Sequence, residues 1–182
     1  MTHRRLVLQV WCLLLALGLV PGRAAAQTCS AAVPAGTCTA STSTTMTVGT
    51  VLQLSLSASA TILTPPVTAG YDAGFVADNG PAATVKCNRS WTLRIAAGSA
   101  LWTASNTTAG VTARTTKPAS DLEWSTAPAG SFTGVSVAGT TFTSGGATGG
   151  TTSTIYYHTL YSWTLDTPGA YSLVVVLTLT AP

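Results

Sequence analysis

Charge is what this sequence has least of: Asp, Glu, Lys and Arg make up only 7% of its 182 residues. Three of the eight cations, Arg4, Arg5 and Arg23, fall within the first 26 residues, which leaves five cations facing five carboxylates in the remainder. A neutral chain with scattered charges has no electrostatic footprint for nucleic acid or an anionic membrane surface. Histidine is scarcer still, with only His158 beyond His3. One histidine and widely separated cysteines do not supply a zinc ligand set, so no metal or other cofactor is expected. Serines abound, yet no Gly-x-Ser-x-Gly elbow and no glycine-rich oxyanion segment accompanies them, and a non-enzymatic protein is the expectation. The stretch Gly145-Gly146-Ala147-Thr148-Gly149-Gly150 reads as a loop and lacks phosphate-binding context. Helical periodicity of useful length is missing as well.

Long apolar runs are confined to the beginning. His3-Arg4-Arg5 precede an apolar segment from Leu6 to Val20, and Pro21-Gly22-Arg23-Ala24-Ala25-Ala26 follows with an Ala-x-Ala cleavage pattern. That order of basic, apolar and small residues is a secretory signal peptide over residues 1–26. The run is shorter than the roughly 20 residues of a membrane span, and no other segment approaches that length. The processed chain is therefore expected to be secreted, periplasmic or attached to the cell surface, without a transmembrane segment.

What is present in quantity is Thr, Ser, Ala and Gly interleaved with apolar residues at every second position. Residues 27–45 form a polar arm, and a single domain is expected over 46–182. Met46, Val48, Leu52, Leu54 and Leu56 share one face of a first strand, because side chains two apart on extended backbone point the same way. Thr61-Ile62-Leu63-Thr64 reads as a short strand that stops at Pro65-Pro66, and Asp78-Asn79-Gly80-Pro81 reads as a turn. In "TVKCNRSWTLRI", residues 84–95, Val85, Cys87, Trp91, Leu93 and Ile95 point one way, and Arg89 breaks the register. A bulge or bend is expected near Asn88-Arg89-Ser90. Further strands are expected at Leu101-Trp102, Leu122 with Trp124, Phe132 to Val137, Ile155 to Trp163, and from Tyr171 onward after the turn Thr167-Pro168-Gly169-Ala170. The last of these, with apolar residues on both faces, reads as a central strand. Seven to nine short strands separated by turn residues predict an all-β antiparallel sandwich.

Candidate functional residues are few. His158 alternates with Tyr156 and Leu160 and reads as structural. Asp121 and Glu123 are two apart on a strand and would point outward together, a solvated surface rather than a calcium site. Aromatic side chains motivate a second reading, a carbohydrate-binding module that stacks sugar rings on Trp102 and Tyr156, whereas Trp91, Trp124, Tyr157, Tyr161 and Trp163 fall on core faces. Asn88-Arg89-Ser90 and Asn106-Thr107-Thr108 match the N-glycosylation sequon. With Cys12 removed, Cys29, Cys38 and Cys87 allow one intramolecular disulfide in an oxidising compartment. Cys29 and Cys38 need only a short loop, with Pro34 and Gly36 to turn it, and their bond is expected. Cys87 shares its face with core residues and reads as a buried free thiol. Cys38 with Cys87 is the rival pairing.

"YDAGFVADNGP" leading into "VKCNRSWTL", then "KPASDLEWS" and "DTPGAYSLVVVLTLTAP", resemble a group of uncharacterised bacterial exported proteins that are similar in turn to spore coat protein U and pilin-like domains. The resemblance implies an immunoglobulin-like β-sandwich with a structural or adhesive role at the cell surface, and other surface proteins or extracellular glycan as partners. It supplies no catalytic residues. It also implies that a bond between early strands, as Cys38–Cys87 would be, has precedent among pilin-like relatives. In assembling pilins an N-terminal extension with alternating large apolar residues completes a neighbour's sheet; here Thr28 to Thr45 offers Val33 and little else of that size.

Overall fold

A computed structural model describes residues 29–30 and 37–182, and the export signal expected over 1–26 lies outside them. The chain divides into two units, Met1–Thr47 and Val48–Pro182. In the first, Cys29 and Cys38 are joined by a disulfide, as their short spacing predicts, and residues 37–47 lie outside helix and strand with exposed side chains. The bond is compatible with an oxidising, extracellular location.

The second unit is an all-β sandwich of antiparallel strands. One sheet has the order β1-β2-β8-β5-β6, formed by Leu52–Leu56, Phe75–Cys87, Thr148–Leu160, Leu122–Ser125 and Thr133–Gly134. The other has the order β10-β3-β7, formed by Val175–Thr180, Trp91–Ala97 and Thr140–Gly145. A small ribbon pairs β4, Thr103–Ser105, with β9, Ala170–Ser172. One short helix, α1, spans Thr68–Ala73. The apolar alternation sets which faces meet. Ala83, Val85 and Cys87 of β2, Ile155 and Tyr157 of β8, and Leu122 and Trp124 of β5 are buried against Trp91, Leu93, Ile95 and Ala97 of β3 and Phe142 of β7 in one continuous core. Trp124 meets Phe142 edge to face across the sheets at 5.4 Å.

Several expected boundaries shift, each for a visible reason. Residues 84–95 are not one bent strand. Asn88-Arg89-Ser90 is a corner that carries the chain from the first sheet to the second, so Cys87 and Trp91 enter the same core from opposite walls. The Asn88 side chain fastens the corner, accepting from Val51 N–H at 2.9 Å and donating to Gly49 C=O at 2.8 Å. The first strand starts at Leu52 rather than Met46, because its partner ends at Cys87, directly opposite Leu52; Met46 and Val48 are exposed.

Asp78-Asn79-Gly80-Pro81 is no turn. It lies inside β2, where a register shift between Asn79 and Ala82 absorbs the proline, and the Tyr157 ring occupies the space a Cβ at Gly80 would need. Residues 61–64 are outside any strand, with Ile62 exposed. Leu101 makes only an isolated bridge to Pro118. The expected loop at 145–150 is largely strand, since β7 and β8 run to Gly145 and Thr148.

Cys87 is a buried free thiol. The folded protein should resist iodoacetamide and take up one label at Cys87 on unfolding without reductant, read by mass spectrometry; a label at Cys29 or Cys38 would contradict the pairing.

Candidate functional site

The final strand, expected to be central, is an edge. β10 pairs with β3 on one side only, through Val175↔Ala97 to Thr180↔Thr92. β1 likewise ends its own sheet. The two terminal strands approach one another without pairing, and the segment 57–66 and the β9–β10 connection flank them. Between these elements opens a cleft of about 770 Å³. Leu56 and Leu63 line one wall, Leu173, Val175 and Leu177 the other, and Trp102 and Tyr157 also contribute. Val175, Leu177 and Leu179 of β10 are only half-buried, whereas the inner side chains of β2, β3 and β8 are sealed. Sheet edges expose unpaired N–H and C=O groups, and natural proteins usually blunt them with charge, proline or a covering segment. The six residues of β10, Val-Val-Leu-Thr-Leu-Thr, carry none of the first two. Two buried polar atoms without a protein partner, Trp102 Nε1 and Thr159 Oγ1, belong to residues that line this cleft, and such atoms are rare in finished interiors.

One end of the cleft is closed by charge. Lys117 is 2% exposed and Asp166 is 4% exposed at its side chain. The Lys117 ammonium reaches Asp166 at 3.0 Å, Asp121 at 3.3 Å and the Leu160 carbonyl at 2.7 Å, and lies 5.1 Å from the centroid of the Tyr161 ring. Arg114 contacts the same two carboxylates at 3.0 and 3.3 Å. Two cations and two carboxylates therefore balance where water is largely excluded. Burial raises the Asp166 pKa, but hydrogen bonds from Lys117, the Ser162 N–H and Arg114 outweigh it and hold the carboxyl below its ordinary value. Burial pushes the Tyr157 phenol up to about 12; burial first, then Asp78, Tyr71 and Asp166, does the same for Tyr161. No local sequence motif announces this cluster, because its members come from a loop, a short 3₁₀ turn and the turn after β8. The only signal was that half of the ten charges beyond residue 26 sit within 114–123 and at 166.

The residues singled out from sequence are dispersed. Trp102 is 5% exposed and belongs to the core cluster at the wall of the cleft, so it is not an open surface platform. Tyr156 is half-buried on β8 opposite Ser125. Trp163, expected inside, lies on the surface because β8 ends at Leu160 and the chain turns outward. Asp121 and Glu123 do not form an outward pair: Asp121 is bound to Arg114 and Lys117, and Glu123 stands across from His158. His158 is sandwiched between Phe75 and Phe132, at 4.1 and 3.5 Å between ring centroids. Both sequon asparagines are engaged, Asn88 in the corner and Asn106 in accepting from Ala113 N–H at 2.8 Å. Among the described residues, no group of three or more His, Cys, Asp or Glu is placed to hold a metal ion, and no helix is long and apolar enough to cross a membrane. No family model, curated protein or solved structure matches this chain.

Replacing Asp166 by alanine strands Lys117 with half of its compensation, and should cost on the order of 3 kcal/mol in urea unfolding at neutral pH. The Asp166 contribution is complete above the ordinary carboxylate range near 4 and should fade as pH falls through the lowered folded value. At the alkaline end, the unfolded tyrosines ionise near 10 while Tyr157 and Tyr161 hold their protons to about 12. Their contribution is present below pH ~10 and lost as pH rises through that window, which stability measured against pH will show.

Proposed function

We propose that this protein is a non-enzymatic structural protein of the cell surface or extracellular space, and that it assembles by accepting an extended apolar segment of a partner protein into the cleft between β1 and β10. The observation that carries this reading is the pair of unpaired sheet edges facing one another across half-buried apolar walls. An inserted strand would hydrogen-bond to an open edge and cover Leu173, Val175 and Leu177 with alternate side chains, the mode in which main-chain bonds give affinity and side-chain pockets give specificity. Completing the burial of each such side chain adds about 1 kcal/mol, half of the roughly 2 kcal/mol for full burial. The resemblance of residues 71–81, 85–93, 117–125 and 166–182 to bacterial exported proteins that are similar in turn to spore coat and pilin-like domains supports this reading, and the disulfide between Cys29 and Cys38 is compatible with an extracellular location. The polar cluster at the end of the cleft, with every charge paired, supports a framework role for those residues.

The test is a set of synthetic peptides with large apolar residues at every second position, set against scrambled peptides of equal composition. At ~100 times its Kd, a peptide that binds only the folded state adds about 2.7 kcal/mol, a rise in Tm of roughly 10 °C for a domain of this size. Leu177→Lys and Val175→Lys should retain the fold and lose that response. A Tm unmoved by every alternating peptide, or moved equally in the lysine variants, would remove the cleft from the proposal.

A further inference from the structure

Away from the cleft's apolar walls, Trp163 stands 60% exposed, while the indoles of Trp91, Trp102 and Trp124 are buried. Its ring is nevertheless fixed. One face stacks on Tyr71, with centroids 4.4 Å apart and planes inclined by 26°, and the indole N–H donates to the Asp72 carboxylate at 3.1 Å. Tyr71 is held in turn by Tyr161 at 5.6 Å and by a hydrogen bond from its hydroxyl to the Asp166 carbonyl. The turn that carries Trp163 is clamped from within, because the Asp166 carboxylate accepts from Ser162 N–H at 2.8 Å while Leu165 and Asp166 N–H both return to the Ser162 carbonyl. An indole backed by a second ring and tied at its nitrogen has lost its rotational freedom before any ligand arrives, which is the condition for affinity from a small contact. Its other face remains open.

The surroundings select what that face receives. The π surface is electron-rich, the second oxygen of Asp72 has no protein partner among the described residues, and the hydroxyls of Ser162 and Thr164 lie within 3.1 Å of each other in the same turn. Asp72 is the one carboxylate bound to the ring. Asp166 and Asp121 are neutralised by Lys117 and Arg114, and Asp78 is taken by Thr64. A ring with a flat face of C–H bonds and a rim of hydroxyls fits these groups. We infer that Trp163 and Asp72 form a stacking site for a neutral hexose of an extracellular glycan, the sugar's C–H face lying on the indole and a hydroxyl donating to Asp72. Trp163 and Asp72 do not themselves line the cleft, and the site differs from the Trp102 and Tyr156 positions that the sequence suggested.

Isothermal titration of the purified protein with soluble gluco-, manno- and chito-oligosaccharides, and with oligolysine as the cationic probe, tests the assignment. Saturable binding of at least one sugar is expected, weakened roughly tenfold, the scale of one aromatic contact, in Trp163→Ala. Trp163→Phe should bind more tightly than Trp163→Ala, and Asp72→Asn should weaken binding while leaving the Tm within a few degrees. Absence of binding to every sugar, binding that survives Trp163→Ala, or binding of oligolysine alone would each overturn it.

Discussion

The burial of the inner faces of β2, β3 and β8 against one another is the constraint from which the rest of the molecule follows. Where they meet the core their side chains alternate, as in Ala83, Val85 and Cys87, Leu93 and Ile95, and Ile155 and Tyr157, and slipping by a single residue would turn these side chains into water. Because β2 and β3 are consecutive, the corner at 88–90 must turn the chain between sheets without losing that alternation. Asn88 does so by taking over the hydrogen bonds of residues 49–51, where β1 has not yet begun. The chain itself joins the sheets at this corner between β2 and β3 and again at the far margin, where β6 runs on to β7, while the edge strands β1 and β10 are not paired with one another. The cleft is the direct result of that asymmetry.

The charged cluster solves a different problem. The segments 111–121 and 161–169 lie outside the strands and bury few large apolar side chains, with Trp163 and Leu165 exposed. Lys117, Arg114, Asp121 and Asp166 tie them together at a site that excludes water, where each cation finds both carboxylates. Buried ion pairs add little net stability compared with apolar packing, but removing one partner is costly. The cluster therefore specifies loop positions more than it deepens the energy well. It also fixes the turn on which Trp163 is displayed, so a surface feature inherits its rigidity from an interior one.

Much of the sandwich was legible because period-two alternation is a strong signal where one face is buried. Val85, Cys87, Trp91, Leu93 and Ile95 were assignable to the core from spacing alone, as were Leu122 and Trp124. Spacing places a bulge or bend at residues 88–90 but not the change of sheet there, since alternation that continues from one sheet to the next looks the same as alternation along one strand. Asp78 to Pro81 misled for a related reason: Gly and Pro mark turns locally, but here the bulge in β2 and the Tyr157 ring accommodate them within a strand. Whether β10 is central or peripheral depends on which strands pair, and its composition, apolar on both faces, does not encode that. The ion cluster lay beyond reach because its members are drawn together by tertiary structure across as many as 52 positions.

The incorporation of Asn79-Gly80 into β2 bears on how the protein ages. Asn-Gly is the dipeptide most prone to spontaneous deamidation, a reaction in which the following backbone nitrogen attacks the asparagine side-chain carbonyl to close a succinimide. That attack needs the main chain to swing out of its extended form. Here Asn79 is paired opposite Tyr156, and an aromatic ring covers the glycine. The most chemically fragile bond pattern in the sequence is thereby protected for as long as the sheet stays intact, so isoaspartate at position 79 would be a record of time spent unfolded.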